Sequence, residues 1–505
     1  MFRIGEIFFR NVIKVTFCNF FMEQFCIINY SSSIMKIEQI YTGCLAQGAY
    51  FISSNGEAVI IDPLREIEPY LLRAEKEGVK IKYVFETHFH ADFVSGHIDL
   101  AAKTGATIVF GPTAKPEFQA HIATDGEVFQ VGDIQIKLLH TPGHTMESSC
   151  FLLRDEQGKD TALFSGDTLF IGDVGRPDLA QKAASLTQEE LAGVLFESLR
   201  NKIMPLSDDI VVYPAHGAGS ACGKNMSKET FDTLGNQKMT NYALRSSMSK
   251  AEFVKEVTTG LVAPPLYFPL NVAMNKKGYT NIETVLKQGT QALTAAAFEL
   301  VANETSALIL DTRDAQDFAI GFIPNSINIG INGNFAPWVG ALIPDINQKI
   351  LLVTEPGREE EVVIRLARVG YDNAIGYLQG GISAWKAAGF EIDTIESVSV
   401  NEMFEQVKSG SFEILDVRKN SEYLSEHILQ AINAPLDFIN ESMLKIDKNK
   451  TYFVHCAAGY RSMIFTSILK ARGYSNLINV KGGFQAIKVS DLFEISDYVC
   501  PTTLL

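Results

Sequence analysis

The sequence predicts an α/β protein made of one large domain and two smaller sister domains, and three observations lead there. Between residues 35 and about 230, short β-branched or aromatic runs end in turns and alternate with helical patterns. Beyond residue 285 a block of about 100 residues, itself a domain-sized length, is written twice. At 505 residues the chain also exceeds what one hydrophobic core serves, and suits about three domains.

Taken in order, residues 1–34 are rich in Phe, Ile and Asn, but Arg3, Glu6, Arg10, Lys14 and Glu23 interrupt every apolar run. None reaches the roughly 18 residues a membrane span needs, and no small-residue cleavage site follows an apolar core. The stretch is expected to be an appendage outside the fold, such as an over-long translation start leaves. Residues 35–285 then form the large domain. Its strands are expected at Lys36–Tyr41, Ala58–Ile61, Ile81–Phe85, Thr107–Phe110, Ile134–Leu139, Thr161–Phe164 and Ile210–Val212, with a short helix over Ile98–Gly105. Helical spacing covers 188–203 and 228–257, and Pro264, Pro265 and Pro269 are expected to end the second. The stretch through Tyr279 is too apolar for a floppy linker and is expected to pack on the first domain.

The repeat defines two further domains, 286–392 and 393–505. Leu310-Asp311-Thr312-Arg313 returns as Leu415-Asp416-Val417-Arg418, and Gly380-Gly381 as Gly482-Gly483. Both copies read strand, helix, strand, helix, hence a small parallel sheet.

Composition narrows the function. A net charge of −15 without a basic stripe argues against nucleic acid. Seven cysteines, odd in number and widely scattered, are no disulfide framework and point to a reducing compartment, the cytoplasm. The expected state is a homo-oligomer with no membrane span.

The chemistry begins at Thr87-His88-Phe89-His90-Ala91-Asp92-Phe93, at the C-terminal end of an expected strand, where α/β folds collect ligands. Three more loops follow apolar runs: Thr141-Pro142-Gly143-His144, Ser165-Gly166-Asp167 and Tyr213-Pro214-Ala215-His216-Gly217. One His-x-His arises by chance, whereas four such placements in order do not. His97, His121 and His140, taken singly, read as ordinary structural histidines.

This order resembles the metallo-β-lactamase superfamily over residues 35–230, which implies an αββα sandwich. Two-metal hydrolases of that superfamily carry a further histidine where this chain has Phe93, and a phenyl ring cannot ligate. What survives is His88, His144 and Asp167, a 2-His-1-carboxylate set of the kind that holds non-haem Fe(II), although mixed N/O ligands also suit zinc. With one metal the pattern is similar to the persulfide dioxygenases, relatives of glyoxalase II. The resemblance implies one Fe(II) per chain on His88, His144 and Asp167, with zinc as a possible substitute. It places His90, Asp92 and His216 behind the ligands, orienting them or handling protons. Its substrates would be a low-molecular-weight thiol persulfide and O₂, and its product sulfite.

Arg176, in Gly175-Arg176-Pro177-Asp178, matches a substrate-carboxylate arginine of that family; a surface or capping arginine is the alternative. Residues 217–224 depart from the glutathione-dependent members and are similar to bacterial forms fused to sulfurtransferase domains, with Ser220 and Lys224 as the expected ligand-binding positions. Cys44 either sits near the metal or is a small buried hydrophobe.

In the last domain Cys456-Ala457-Ala458-Gly459-Tyr460-Arg461 follows an apolar run and precedes a helical one. A cysteine there meets converging amide N–H groups, and Arg461 closes the loop, an environment that favours a thiolate. The six-residue loop resembles the rhodanese sulfurtransferases, so Cys456 and Arg461 are the expected catalytic pair. The earlier copy has no cysteine, and Pro356 removes an amide donor from its loop. It is expected to be an inactive rhodanese-like domain, a spacer or docking surface, and Asp416 and Arg418, shared by both copies, are expected to be structural.

Together these readings imply a persulfide dioxygenase fused to a rhodanese, with Cys456 passing sulfur between sulfite and thiosulfate in sulfide detoxification. Two alternatives stand beside it: a glyoxalase II-type zinc thioester hydrolase with a rhodanese module, and a sulfur-responsive scaffold.

Overall fold

The computed structural model describes residues 35–410 and 412–500, and the expected appendage of residues 1–34 lies outside them. The first domain begins as an antiparallel meander of Lys36–Thr42, Gln47–Ser54 and Glu57–Ile61. The tight turn between the second and third strands is Asn55-Gly56, both with positive φ, which matches the right-handed twist of a two-residue hairpin. The sheet then continues in parallel through Lys80–Phe85, Thr107–Phe110 and His121–Ile122, with helices Glu68–Glu77 and His97–Thr104 as crossovers. A second six-stranded mixed sheet runs, from edge to edge, through Asp232–Thr233, Val211–Pro214, Asp160–Gly166, Ser149–Arg154, Ile134–His140 and Val128–Val131.

The two sheets face each other across one apolar core, to which Ile52, Phe85 and Val109 contribute from the first and Ile136, Phe151 and Phe164 from the second. Their outer faces are covered by helices: Tyr70 and Leu100 lie over the first, Leu195 and Phe253 over the second. This is the expected four-layer αββα sandwich. The sister domains follow, each with a five-stranded parallel sheet in the same strand order.

The copies also share a buried bracket. Arg313 holds Asp311 and Arg418 holds Asp416, while Asn328 and Asn433 each donate to the two backbone carbonyls of their own pair. An arrangement built identically in both copies is architecture, as expected for Asp416 and Arg418.

Two helical expectations need correction. Residues 228–257 are no single helix: Leu234–Thr240 and Lys250–Thr258 are separated by a 3₁₀ turn, Tyr242–Leu244. The break falls at Asn241, whose buried side-chain amide donates to the carbonyls of Phe170 and Asp173 instead of facing solvent from a helix. Pro269 does not end a helix but opens one, Phe268–Lys277, where its missing N–H is no loss. That helix does pack on the first domain: Asn275 donates to the carbonyls of His90 and Phe93 and accepts from the Ser95 N–H. Among the described residues no helix is long and apolar enough to cross a membrane.

Arg65, 0% exposed, ties the first domain to the first copy: it pairs with Asp99 at 2.9 Å and with Asp372 of the copy at 3.3 Å, and lies 3.8 Å over the Tyr279 ring. Arg65→Ala removes the cation shared by buried Asp99 and the largely buried Asp372 and is expected to cost about 3–5 kcal/mol. Urea unfolding checks this, and a midpoint equal to the wild type would exclude it.

Candidate metal centre and cysteine loop

The four histidine and aspartate loops all leave C-terminal strand ends on one rim of the sandwich. His88 follows Lys80–Phe85, His144 follows Ile134–His140, Asp167 follows Asp160–Gly166 and His216 follows Val211–Pro214. The approach is close enough to demand glycine. Gly166 has φ +53°, and a Cβ on it would stand 2.6 Å from the Thr87 Cβ.

His88, His144 and Asp167 converge, all buried, with one donor atom from each within 4.8 Å of the others. Each imidazole is held by its far nitrogen. The Nδ1 of His144 lies 2.8 Å from the Arg176 carbonyl, which can only accept, so Nδ1 carries a proton and Nε2 is the nitrogen turned to a ligand. The Nδ1 of His88 lies 3.0 Å from Thr87 Oγ1, and that hydroxyl donates to Asp62. The two Nε2 atoms stand 3.8 and 3.5 Å from Asp167 Oδ2. Burial, with His90, His144 and His216 beside it, holds His88 well below the usual imidazole range and so in its neutral, ligating form. Both Asp167 oxygens are buried and have no hydrogen-bond partner. A buried carboxylate left so is costly unless a cation meets it, so these residues fit a metal ion.

A second donor group adjoins the first: His90, Asp92 and His216 also bring one atom each within 4.8 Å of one another. His216 Nε2 is 3.4 Å from Asp92 and 3.6 Å from Asp167, and these carboxylates outweigh its burial to hold it well above the imidazole range. Phe93 is fully buried and stacks on His90 with ring centroids 4.3 Å apart. It contributes a wall and no ligand, yet the donors around it are gathered closely enough for another cation.

The expected substrate-binding positions separate. Ser220 lines the cavity at the metal loop. Arg176 is buried, its guanidinium clasping Asp178 and donating to the Val262 carbonyl. Lys224 gives its ammonium to the carbonyls of Glu256 and Thr259. His97, His121 and His140 find local partners in Glu86, Glu127 and the Met146 carbonyl.

Sequence reasoning passed over Asp62, Glu86 and Cys222. Asp62, at a strained φ of +49°, accepts from both the N–H and the hydroxyl of Thr87. An acid just before a proline at a strand end was the available signal. Burial and the Asp62 charge hold Glu86 well above the carboxylate range. Cys222 approaches Asp167 and His216, and burial with the carboxylates of Asp92 and Asp167 pushes its thiol up to about 12.

In the last domain Cys456 is buried at the N-terminal end of Tyr460–Ala471, and its sulfur accepts from the Gly459 N–H at 3.1 Å. Gly459 has φ +102°, which an L side chain rarely adopts. Arg461 makes a two-pronged pair with Glu422, at 2.6 and 2.8 Å. In the first copy Asp311 faces Val353 as Asp416 faces His455, so Thr354 stands where Cys456 does. Gly357 keeps the left-handed turn there, with φ +88°.

One cavity of about 590 Å³ is lined by Cys44, Asp92 and Ser220 at the metal end and by Lys419, Cys456 and Arg461 at the other.

Comparisons with known proteins follow the same division. Residues 42–216 match the metallo-beta-lactamase superfamily model, and residues 294–388 and 399–490 match the rhodanese-like domain model. The hydroxyacylglutathione hydrolase of Tolumonas auensis is 34% identical over 171 residues, 33% of this chain and 60% of the relative. Human mitochondrial persulfide dioxygenase ETHE1 is 33% identical over 162 residues, 32% of this chain and 59% of the relative. The chain therefore spans about 60% of the length of these relatives. The crystal structure of a metallo-beta-lactamase from Staphylococcus aureus superposes with a TM-score of 0.60 at 34% identity, covering 68% of this chain and 98% of that one.

Proposed function

The chain belongs to the metallo-β-lactamase superfamily and carries two rhodanese-like domains behind it, and from that premise we propose that it is a persulfide dioxygenase coupled to a sulfurtransferase. The first domain takes the persulfide of a low-molecular-weight thiol: RSSH + O₂ + H₂O → RSH + SO₃²⁻ + 2H⁺. Cys456 then carries sulfane sulfur to sulfite, giving thiosulfate. The observation that carries this reading is a 2-His-1-carboxylate set adjoining the donor group of Asp92, which shares one cavity with Cys456, whose sulfur accepts from the Gly459 N–H.

His88, His144 and Asp167 would hold one Fe(II), with zinc as a possible substitute. When bound, iron supplies the one-electron chemistry that lets O₂ react with a closed-shell sulfur compound. The protein's part is arrangement. The Thr87–Asp62 relay and the Arg176 carbonyl fix the two imidazoles in the tautomer that exposes Nε2. In this reading Arg176 acts through its carbonyl on His144, and Ser220 faces the substrate. At Cys456 the Gly459 N–H supports negative charge on sulfur. Arg461, held by Glu422, keeps a positive charge beside the loop.

The grouping of His90, Asp92 and His216 favours a second reading, a two-metal thioester hydrolase of the hydroxyacylglutathione type. Metal content and substrate decide between them. Protein purified without oxygen is expected to hold about one iron per chain and to consume O₂ with thiol persulfides while leaving S-acyl thiols intact. Two zincs per chain with thioester cleavage and no O₂ uptake would overturn the dioxygenase.

A further inference from the structure

The cysteine-less copy touches both active regions at once. At the metal end, its Arg368 carbonyl accepts from the Val94 N–H at 2.7 Å, its Arg368 guanidinium pairs with Glu66, and the same guanidinium lies 3.6 Å from Cys44 Sγ. At the sulfurtransfer end, Tyr460, inside the Cys456 loop, donates its hydroxyl to the Gly330 carbonyl at 2.7 Å. The Tyr460 ring lies flush on the copy's backbone, and a Cβ on Gly333 would stand 2.4 Å from it. Between these two seams the copy presents Gly333, Asn334 and Trp338 to the cavity that Asp92 and Cys456 share. Tyr267 of the connector closes the angle, packed so tightly that a Cβ on Gly340 would lie 2.4 Å from its ring.

We propose that the cysteine-less copy is one wall of a transfer chamber, partly open to solvent, in which sulfite reaches the Cys456 persulfide faster than it mixes with the medium. This rests on the persulfide dioxygenase reading. The step inside balances as Cys–S–S⁻ + SO₃²⁻ → Cys–S⁻ + S₂O₃²⁻. The sulfite sulfur's lone pair forms the new S–S bond to the outer sulfur. The bond from that sulfur to Cys456 Sγ breaks with its electron pair, which stays on Cys456 as the thiolate. A second persulfide recharges it: RSSH + Cys–S⁻ → RS⁻ + Cys–SSH. The copy has lost its nucleophile and kept its fold because its surface, not its loop, does the work.

The test uses the full chain and two wall variants, Gly333→Val, which wedges Tyr460 off the seam, and Trp338→Ala, which thins the wall. Persulfide and O₂ are supplied with isotopically labelled sulfite in the medium, and the label in the sulfonate sulfur of thiosulfate is measured. In the wild type it is expected to fall severalfold below the labelled fraction of total sulfite, and in either variant to rise toward it. Full mixing in the wild type, with O₂ uptake intact, would overturn the chamber and leave the dioxygenase standing. Absence of O₂ uptake would overturn the dioxygenase and, with it, sulfite as the chamber's cargo. The wall itself is read without the metal: alkylation of Cys456 by a bulky maleimide, followed by peptide mass, is expected to quicken severalfold in either folded variant. An unchanged rate in both would overturn the wall.

Discussion

Asp167→Ala is expected to weaken metal binding by more than about 100-fold, because groups that merely orient a ligand already cost 10–100-fold when lost and Asp167 is proposed as a ligand itself. Thr87→Val gives the scale: it keeps the shape, removes the hydroxyl between Asp62 and the His88 Nδ1, and is expected to fall within that 10–100-fold range. Stability should diverge once metal is added. With metal present, only the wild type should gain, since binding to the folded state alone raises its stability by mass action. Dialysis against Fe(II) or Zn(II) with metal quantification, paired with melting curves with and without metal, reads both effects. A variant that keeps the wild-type metal content would remove Asp167 from the site.

What could be read in the sequence is what is local. His88, His90, Asp92, His144, Asp167 and His216 sit in short loops at strand ends, so an apolar run followed by a histidine or aspartate turn was enough to gather them, and the fold then brings them to one rim. The residues that hold them in place are distant in sequence and leave no periodic trace: Asp62 behind Thr87, Asn275 beneath the His90–Phe93 loop, Arg368 against Val94. Phe93 could be read only as a missing ligand, whereas packing shows it as a ring stacked on His90 beside a still crowded set of donors. Arg461 read as the cation closing the cysteine loop, and its partner Glu422 belongs to another helix of the same domain. Helical spacing over 228–257 was real, but Asn241 has tertiary partners that a lone helix could not offer, and they break it.

Cys456→Ser is expected to separate the two halves of the chemistry. Serine keeps the size and can still accept the Gly459 N–H, so the loop should stay folded. Its hydroxyl, however, neither attacks a persulfide at neutral pH nor leaves as a stable anion when sulfite takes the outer sulfur, and replacing a covalent nucleophile commonly costs about 100-fold or more in rate. Oxygen uptake, which the proposal assigns to His88, His144 and Asp167, should remain near the wild-type rate, because Cys456 is absent from every donor group there. Sulfite should therefore accumulate in proportion to O₂ consumed, and thiosulfate should fall to the slow uncatalysed reaction of sulfite with free persulfide. Assaying O₂, sulfite and thiosulfate on the same sample makes the outcome decisive. Undiminished thiosulfate would mean that sulfur reaches sulfite by some route other than Cys456. A parallel loss of O₂ uptake would mean that the two centres form one catalytic unit.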